Sequence, residues 1–299
     1  MAPKLLRRRK RERLFIGRPR MTIGIGVLCS SKPRPHPIRP DGLILIADTM
    51  GSTDTDSTSE LHKLWIEDNL YAAGAGNLTL DEEIISLFKL NLAKVPARTH
   101  GNIWDALNKA VYEHLQGHFA WDVLAPKYVF AAGTVFESQK DNVTKEWQDY
   151  DPPIAMLIGT FHENGKPLLY LVERDDNGAW VHLFPYPGHV AIGAGARNAN
   201  FWLTFRDQHF GMNPKQSAYH AYEAKIMASR APTVNSNTEI VIAFSDRHYV
   251  ITAEKPTTDG CPVSLEELRN LYVKYGPQNT NELGHQPKRS ISQKSKRGR

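Results

Sequence analysis

Thr22–Cys29, TIGIGVLC, and Leu43–Asp48, LILIAD, are the two stretches that decide the fold. Both are short apolar runs rich in Ile and Leu, a pattern typical of buried β-strands. Two more strands are predicted at Leu61–Ile66 and Leu70–Ala75, because Asp68-Asn69 between them suits a tight hairpin turn. The sequence therefore predicts four strands before any helix.

Two helices are predicted after these strands. Thr79–Glu82 forms a capping box, in which the Thr hydroxyl and the Glu carboxylate each satisfy a free backbone N–H group at a helix start. A second helix is predicted over Asn102–His118, where apolar residues recur at helical spacing. Strand-like runs then return at Tyr128–Phe136, Ile154–Phe161, Leu168–Val172 and Trp180–Phe184.

The last third of the chain adds helices and a final hairpin. One helix is predicted near Gly195, and another after Asn213-Pro214, a cap residue followed by a first-turn proline. A hairpin over Glu239–Phe244 and Tyr249–Ala253 precedes a helix that the capping box Ser264–Glu267 opens. This order predicts an α+β fold in which two stacked sheets are covered by helices on both outer faces, a four-layer αββα sandwich.

The positive charge of the chain lies at its two ends. Residues 1–20 carry a net charge of +8 and residues 276–299 a net charge of +5, so in a chain of net charge +5 the intervening residues carry −8. An acidic body argues against a basic groove for nucleic acid. Residues 1–20 are interpreted as a processed propeptide, a basic tether or sequence upstream of a true start at Met21, and residues 276–299 as a disordered tail.

The cysteine content and the lengths of the apolar runs indicate the cellular compartment in which the protein is expected. Cys29 and Cys261 are too few for a disulfide framework and match no metal-ligand spacing, so a cytoplasmic location is expected. No apolar run reaches the roughly 18 residues of a membrane span, and the first residues lack the apolar core of a secretory signal. We therefore expect no membrane partner.

Five segments resemble a known family in their order and spacing. They are Thr22–Val27, Asp41–Asp48, His62–Ile66, Ala73–Gly76 and Ala191–Gly195. Together they resemble the proteasome beta subunits and the bacterial HslV-type peptidase, and the resemblance covers residues 21–275. It implies a proteasome-type domain with the fold of the N-terminal-nucleophile (Ntn) hydrolases, assembled into an oligomeric ring that hydrolyses proteins or peptides, with an ATPase unfoldase as a further partner.

The resemblance implies that Thr22 is the catalytic nucleophile of a threonine-type endopeptidase. Its hydroxyl would attack the peptide carbonyl while its own α-amine, whose pKa is about 8, accepts the proton. Because that nitrogen is an amide while Thr22 remains joined to Met21, the full-length chain is expected to be inert. A methionine aminopeptidase acting on a chain that starts at Met21 would expose Thr22 directly.

Three further catalytic residues follow from the same resemblance. Lys63 matches the family's active-site lysine, whose ammonium favours a neutral amine and a deprotonated hydroxyl. Asp48 would keep that ammonium charged and oriented. Gly76 matches the residue whose backbone N–H stabilises the oxyanion.

The sequence also departs from the family pattern at three positions. Ala194 stands where active relatives carry a serine, no carboxylate is in register near Ser229, and Met21 replaces the glycine that precedes an autocatalytically released threonine. Two alternatives therefore stay open: a catalytically silent scaffold subunit, and an Ntn amidohydrolase that acts on a small amide. A third, in which the basic tails tether a nucleic acid or a partner, rests on the charge distribution.

No cofactor and no metal are predicted. His114 and His118 stand four apart on a predicted helix, a spacing seen in zinc sites, but no third ligand is evident in the sequence. Gly193–Asn198 resembles a dinucleotide loop but lacks its last glycine. The aromatic residues Phe201, Trp202 and Phe205 are predicted to form a stripe that faces the core.

Overall fold

The computed structural model describes residues 23–32, 39–49, 63–75, 78–124, 140–150, 152, 154–175, 180–184, 186–230 and 237–277. Thr22 and Gly76, two of the four predicted catalytic residues, lie outside these ranges. So do the predicted strand Tyr128–Phe136, the basic segment 1–20 and nearly all of the tail, from residue 278 onward.

Ten strands and six α-helices make up the described part of the chain. The strands are β1 (Ile23–Cys29), β2 (Gly42–Ala47), β3 (Leu64–Glu67), β4 (Leu70–Gly74), β5 (Met156–Phe161), β6 (Pro167–Val172), β7 (Val181–Leu183), β8 (His189–Gly193), β9 (Glu239–Phe244) and β10 (Arg247–Ile251). The helices are α1 (Leu78–Leu92), α2 (His100–His118), α3 (Lys140–Asp149), α4 (Ala196–Phe205), α5 (Pro214–Ala228) and α6 (Leu265–Tyr275), and a π-helical turn, Phe119–Leu124, extends α2.

The strands form two antiparallel sheets. The first sheet has the order β10-β9-β2-β1-β8, and the second has the order β3-β4-β5-β6-β7. In the first sheet β1 lies between β2 and β8, with Gly24 opposite Ala47 on one side and opposite Ile192 on the other. Every residue of β1 and β2 is buried, which matches their uninterrupted apolar sequences.

Glycines allow the two sheets to approach closely. A Cβ atom added to Gly26 of β1 would lie 2.8 Å from Leu169 of β6, and one added to Gly159 of β5 would lie 2.0 Å from Leu43 of β2. The missing side chains make room for leucines of the opposite sheet, which belong to one apolar cluster between the sheets. This inner cluster joins the sheets into one packed unit.

The outer faces of the sheets pack against different helices. Apolar side chains of α1 and α2 form a second cluster with the second sheet, and those of α4, α5 and α6 form a third cluster with the first sheet. The N-terminal caps predicted for α5 and α6 are present, because Asn213 accepts from the N–H of Gln216 at 2.9 Å and Ser264 from that of Glu267 at 3.1 Å. Among the described residues, no helix is both long and apolar enough to cross a membrane.

The α+β class predicted from the sequence is confirmed. Two described elements were not predicted, β8 and α3. The five residues of β8 end in glycine, and α3 is a short helix of mostly polar residues, so neither has a strong periodic pattern. The helix α3 is held by aromatic packing, with the rings of Trp147 and Phe119 centred 5.0 Å apart.

Candidate functional site

The end of β2 lies beside the beginning of β1. Asp48, the residue after β2, accepts a hydrogen bond from the N–H of Ile23 at 3.3 Å, and its own N–H donates to the carbonyl of Ile23 at 3.3 Å. The side chain of Asp48 is fully buried. Antiparallel pairing of two strands therefore brings a buried carboxylate next to the residue that follows Thr22.

Lys63 connects this carboxylate to the second sheet. Its ammonium donates to Asp48 Oδ1 at 3.0 Å, and both side chains are buried. Lys63 stands immediately before β3, and its carbonyl accepts from the N–H of Gly74 in β4 at 3.2 Å. The ion pair thus joins the end of a strand in the first sheet to the start of a strand in the second.

Burial and charge act on Lys63 in opposite directions. Removal from water disfavours the ammonium and lowers the pKa of Lys63, and the carboxylates of Asp48 and Glu239 oppose that shift. The net effect is a lowered pKa. Lys63 therefore releases its proton more readily than a lysine in water.

A second buried lysine lies near the same carboxylate. Lys225, on α5, has no exposed surface, and α5 is buried on nearly all sides. Burial lowers the pKa of Lys225 to about 8; the charge of Asp48 opposes this shift and the charge of Lys63 adds to it. Two buried lysines, Lys63 and Lys225, therefore lie near Asp48, and the charge of Lys63 acts on Lys225.

Glu239 completes a group of four that we call the charge cluster: Asp48, Lys63, Lys225 and Glu239. Glu239 begins β9, is buried, and stands opposite Ala47 of β2 in the sheet. Two carboxylates and two amines can balance their charges, which buried ionisable groups require if they are to remain charged. The charge cluster is thus a compact polar site inside an apolar fold.

The end of β4 lies close to the start of α1. Ala75 donates to the carbonyl of Ala155 at 2.8 Å, and α1 begins at Leu78. Asp81, buried in the first turn of α1, lies so close to Gly74 that a Cβ there would be 2.3 Å from its Oδ2. A side chain at position 74 would therefore collide with Asp81.

The structure brings together two of the four predicted site residues, Asp48 and Lys63. Thr22 and Gly76 lie outside the described residues. Ala194 is exposed in the turn between β8 and α4, and the Ser229 hydroxyl donates to the carbonyl of Ile226 at 2.7 Å.

Sequence reasoning missed the other half of the charge cluster. Lys225 lies one helical turn before Ser229, the position near which the family pattern has a carboxylate. The available signal was a lysine within YHAYEAKIMA, a stretch with few charged residues in a helix that is buried on nearly all sides. Glu239 had a similar signal, as the single charged residue of the strand EIVIAF.

Comparisons with known proteins show the fold of this chain. No family model matches the sequence, and no curated protein matches it. A solved structure of an Anbu Gly-1 mutant from Hyphomicrobium sp. strain MC1 is similar, with a TM-score of 0.54 and 15% identity over 85% of this chain and 92% of that one.

Two further Anbu structures are similar to the same extent. The Anbu "ancestral beta-subunit" from Yersinia bercovieri gives a TM-score of 0.53 and 17% identity, covering 79% of this chain and 89% of that one. The helical assembly of the Anbu complex from Pseudomonas aeruginosa gives 0.55 and 14%, covering 85% and 93%. At such low identity these similarities show the fold alone.

The resemblance to proteasome beta subunits and HslV-type peptidases was therefore the wrong interpretation. The three solved structures described above are of Anbu, a related but different group with a proteasome-like fold. The motifs behind the interpretation are glycine-rich strands and strand ends, and in this chain Gly24, Gly26 and Gly74 leave no room for a side chain. The chain has the Anbu fold.

Proposed function

We propose that this chain is an N-terminal-nucleophile hydrolase that cleaves peptide bonds, with Thr22 as its nucleophile. One observation carries the proposal: Asp48, which binds Lys63, also accepts a hydrogen bond from the N–H of Ile23, the residue after Thr22. A buried ion pair is thus held one residue from the candidate nucleophile. Buried, mutually coupled titratable groups of this kind are typical of catalytic sites.

In this proposal the hydroxyl of Thr22 attacks the peptide carbonyl, and the α-amine of Thr22 accepts the hydroxyl proton. A free α-amine has a pKa of about 8 and is partly neutral near pH 7, and a nearby Lys63 ammonium would increase the neutral fraction. The peptide bond from Met21 would remove this base. Hydrolysis therefore requires a chain that begins at Thr22.

Asp48 and Gly76 have supporting roles in the proposed reaction. Asp48 orients the Lys63 ammonium and keeps it charged. The backbone N–H of Gly76 stabilises the oxyanion that forms when the hydroxyl attacks, and such a donor typically contributes about 3 kcal/mol.

The proposed domain comprises residues 21–275, arranged as a four-layer αββα sandwich. Its support is the set of three apolar clusters, one between the sheets and one between each sheet and its own helices. The basic segments 1–20 and 276–299 are proposed to lie outside this domain. The free thiols of Cys29 and Cys261 agree with a cytoplasmic location.

We also propose that the chain assembles with copies of itself. The Anbu structure from Pseudomonas aeruginosa is described as a helical assembly. In this chain Phe201 and Phe205 are 65% and 60% exposed on α4, with the ring of Trp202 centred 4.9 Å from that of Phe205. Stacked aromatic side chains on a surface are typical of protein interfaces.

A second candidate function is a catalytically silent scaffold subunit. Ala194 supplies no hydroxyl, and the hydroxyl of Ser229 is bonded to its own helix. Some of the side chains that support catalysis in threonine peptidases are then absent. Loss of a supporting hydroxyl leaves the fold intact, so the two candidates differ in activity rather than in structure.

The decisive experiment combines N-terminal sequencing with peptide hydrolysis. We expect the purified protein, or a chain expressed from Met21, to begin at Thr22 and to cleave fluorogenic peptides faster than small amides. Thr22→Ala should lower the rate by more than about 10³-fold, whereas Thr22→Ser, which keeps a hydroxyl beside the amine, should retain measurable activity.

Each alternative gives a different result in this experiment. Molecules that all retain Met21 or earlier residues would exclude the enzyme and favour the scaffold subunit. Faster cleavage of small amides would favour the amidohydrolase. Equal activity of Thr22→Ala and wild type, both beginning at residue 22, would exclude Thr22 as the nucleophile.

A further inference from the structure

Two histidines and a glutamate meet where α1 and α2 pack together. His114 and His118 lie four residues apart on α2, which places their side chains on the same face of the helix. Glu83, on α1, supplies a carboxylate oxygen that is 3.2 Å from His114 Nδ1 and 3.2 Å from His118 Nε2. The sequence showed no third ligand because this one comes from another helix.

Two of the three spacings between these atoms are close to those of a tetrahedral metal site. Zinc binds imidazole nitrogen and carboxylate oxygen at about 2.0–2.2 Å, so two ligand atoms of a tetrahedral site lie about 3.3–3.5 Å apart. The two contacts of Glu83 have nearly that length, and all three ligand atoms lie within 4.8 Å of one another. At 3.2 Å both contacts are at the long end of the range for hydrogen bonds, and the contact between His118 and Glu83 is one.

The surroundings leave room for one more ligand. His114 is buried, whereas the His118 and Glu83 side chains are 31% and 51% exposed. The three donor atoms therefore form a site that is closed by protein on one side and open to water on the other. Three protein ligands with an open fourth position are typical of zinc sites that carry a bound water.

We propose that Glu83, His114 and His118 bind a zinc ion, with water as the fourth ligand. Imidazole and carboxylate together favour zinc and neighbouring transition metals over magnesium and calcium, which take oxygen ligands. The ion connects α1 to α2 on the outer side of the second sheet. The site is independent of the chemistry proposed for Thr22.

Zinc titration of the full-length protein tests the proposal. The protein is stripped with EDTA, dialysed into a non-chelating buffer and titrated with Zn²⁺ alone by isothermal calorimetry. We expect one ion per chain and a higher Tm in its presence, since a ligand that binds only the folded state stabilises it. Mg²⁺ and Ca²⁺ at the same concentration should leave Tm unchanged. Absence of saturable zinc binding would overturn the proposal.

Variants assign the binding to this site. His118→Ala and Glu83→Gln change partly exposed side chains and so should fold; each should weaken zinc binding by more than about 100-fold, because loss of even an outer-shell partner costs about 10–100-fold. The matched controls are His100→Ala and Glu82→Gln, exposed residues of the same two helices, which should bind as the wild type does. Unchanged zinc affinity in both site variants would assign the metal elsewhere and refute the proposal.

Discussion

Lys63 is the described residue whose charge matters most directly in the proposed reaction. Lys63→Met keeps the apolar stem but removes the ammonium that binds Asp48. If that charge stabilises the reacting groups, kcat/KM should fall by about 10²–10³-fold, the size of effect that follows loss of one electrostatic contact to a transition state. The measurement is peptide hydrolysis by chains verified by mass to begin at Thr22.

The control for this change is Lys166→Met, which removes an exposed lysine before β6. It should retain full activity. Circular dichroism establishes that both variants are folded. Equal activity of Lys63→Met and wild type would exclude the proposed role of the ion pair.

Lys225 should make the stability of the protein depend on pH. Its pKa is about 8 in the folded protein and 10.5 in an unfolded chain, so between these values the unfolded chain binds more protons at this residue. The free energy of unfolding therefore rises with pH across that window, by about 3 kcal/mol from this group alone. Below pH 8 both states carry the proton, and the cost of burying the charge is present in full.

Urea unfolding at about pH 7.5 and about pH 10.5 measures this contribution. The rise in stability should be smaller in Lys225→Met than in the wild type by about 3 kcal/mol. Lys166→Met again serves as the exposed control and should follow the wild type. A variant whose stability changes with pH as much as the wild type's would show that Lys225 does not titrate in this window.

At the scale of single elements, the contact between the sheets depends on glycine. Gly159→Ala in β5 would place its methyl group 2.0 Å from a Cδ atom of Leu43, which is fully buried between the sheets, so that this side chain or the sheets must shift. We expect a loss of about 1–3 kcal/mol in the free energy of unfolding, the usual cost of overpacking. Urea denaturation measures it.

Gly117→Ala is the matched control for that substitution. Nothing lies within 4 Å of the added Cβ in this helical position, so the change should be neutral or should stabilise by about 0.5–1 kcal/mol. A similar loss in both variants would mean that the close approach of the sheets does not decide the effect.

The elements also indicate what was predictable from the sequence. Asp48 and Lys63 were predicted from the resemblance, whose segments Asp41–Asp48 and His62–Ile66 contain them. Taken alone, they would be a turn residue at a strand end and an exposed charge. The roles of Lys225 and Glu83 could not be predicted in this way, because they depend on which helices and strands pack together. Glu83 lies 35 positions from His118, a distance over which sequence periodicity carries no information. Short elements such as β8 are stabilised by their neighbours in the sheet, and so they too lack a local signal.

The whole molecule presents an aromatic surface that the sequence did not predict. Phe201, Trp202 and Phe205 were expected to face the core. Trp202 is partly buried against it, but Phe201 and Phe205 are exposed, and Ala199 and Leu203 are the buried residues of α4. The helix α4 has apolar side chains on two faces, and the pattern alone does not tell which of them is buried.

If this surface holds copies of the chain together, its removal should lower the mass of the assembly. The double variant Phe201→Ser and Phe205→Ser should sediment more slowly than the wild type in analytical ultracentrifugation. The control is Leu90→Ser, which removes a 59% exposed apolar residue from α1, a helix that packs on the other sheet. An unchanged mass in the double variant, or an equal decrease in the control, would contradict an interface at α4.

The charge cluster should constrain how its four positions change in evolution. Asp48 contacts both Ile23 and Lys63, and its charge also acts on Lys225, so a substitution at one of these positions changes the electrostatic balance at the others. Loss of one charge then favours the loss of an opposite one. In related sequences that lack Lys225, Glu239 or Asp48 should therefore also be replaced. The four positions should vary together.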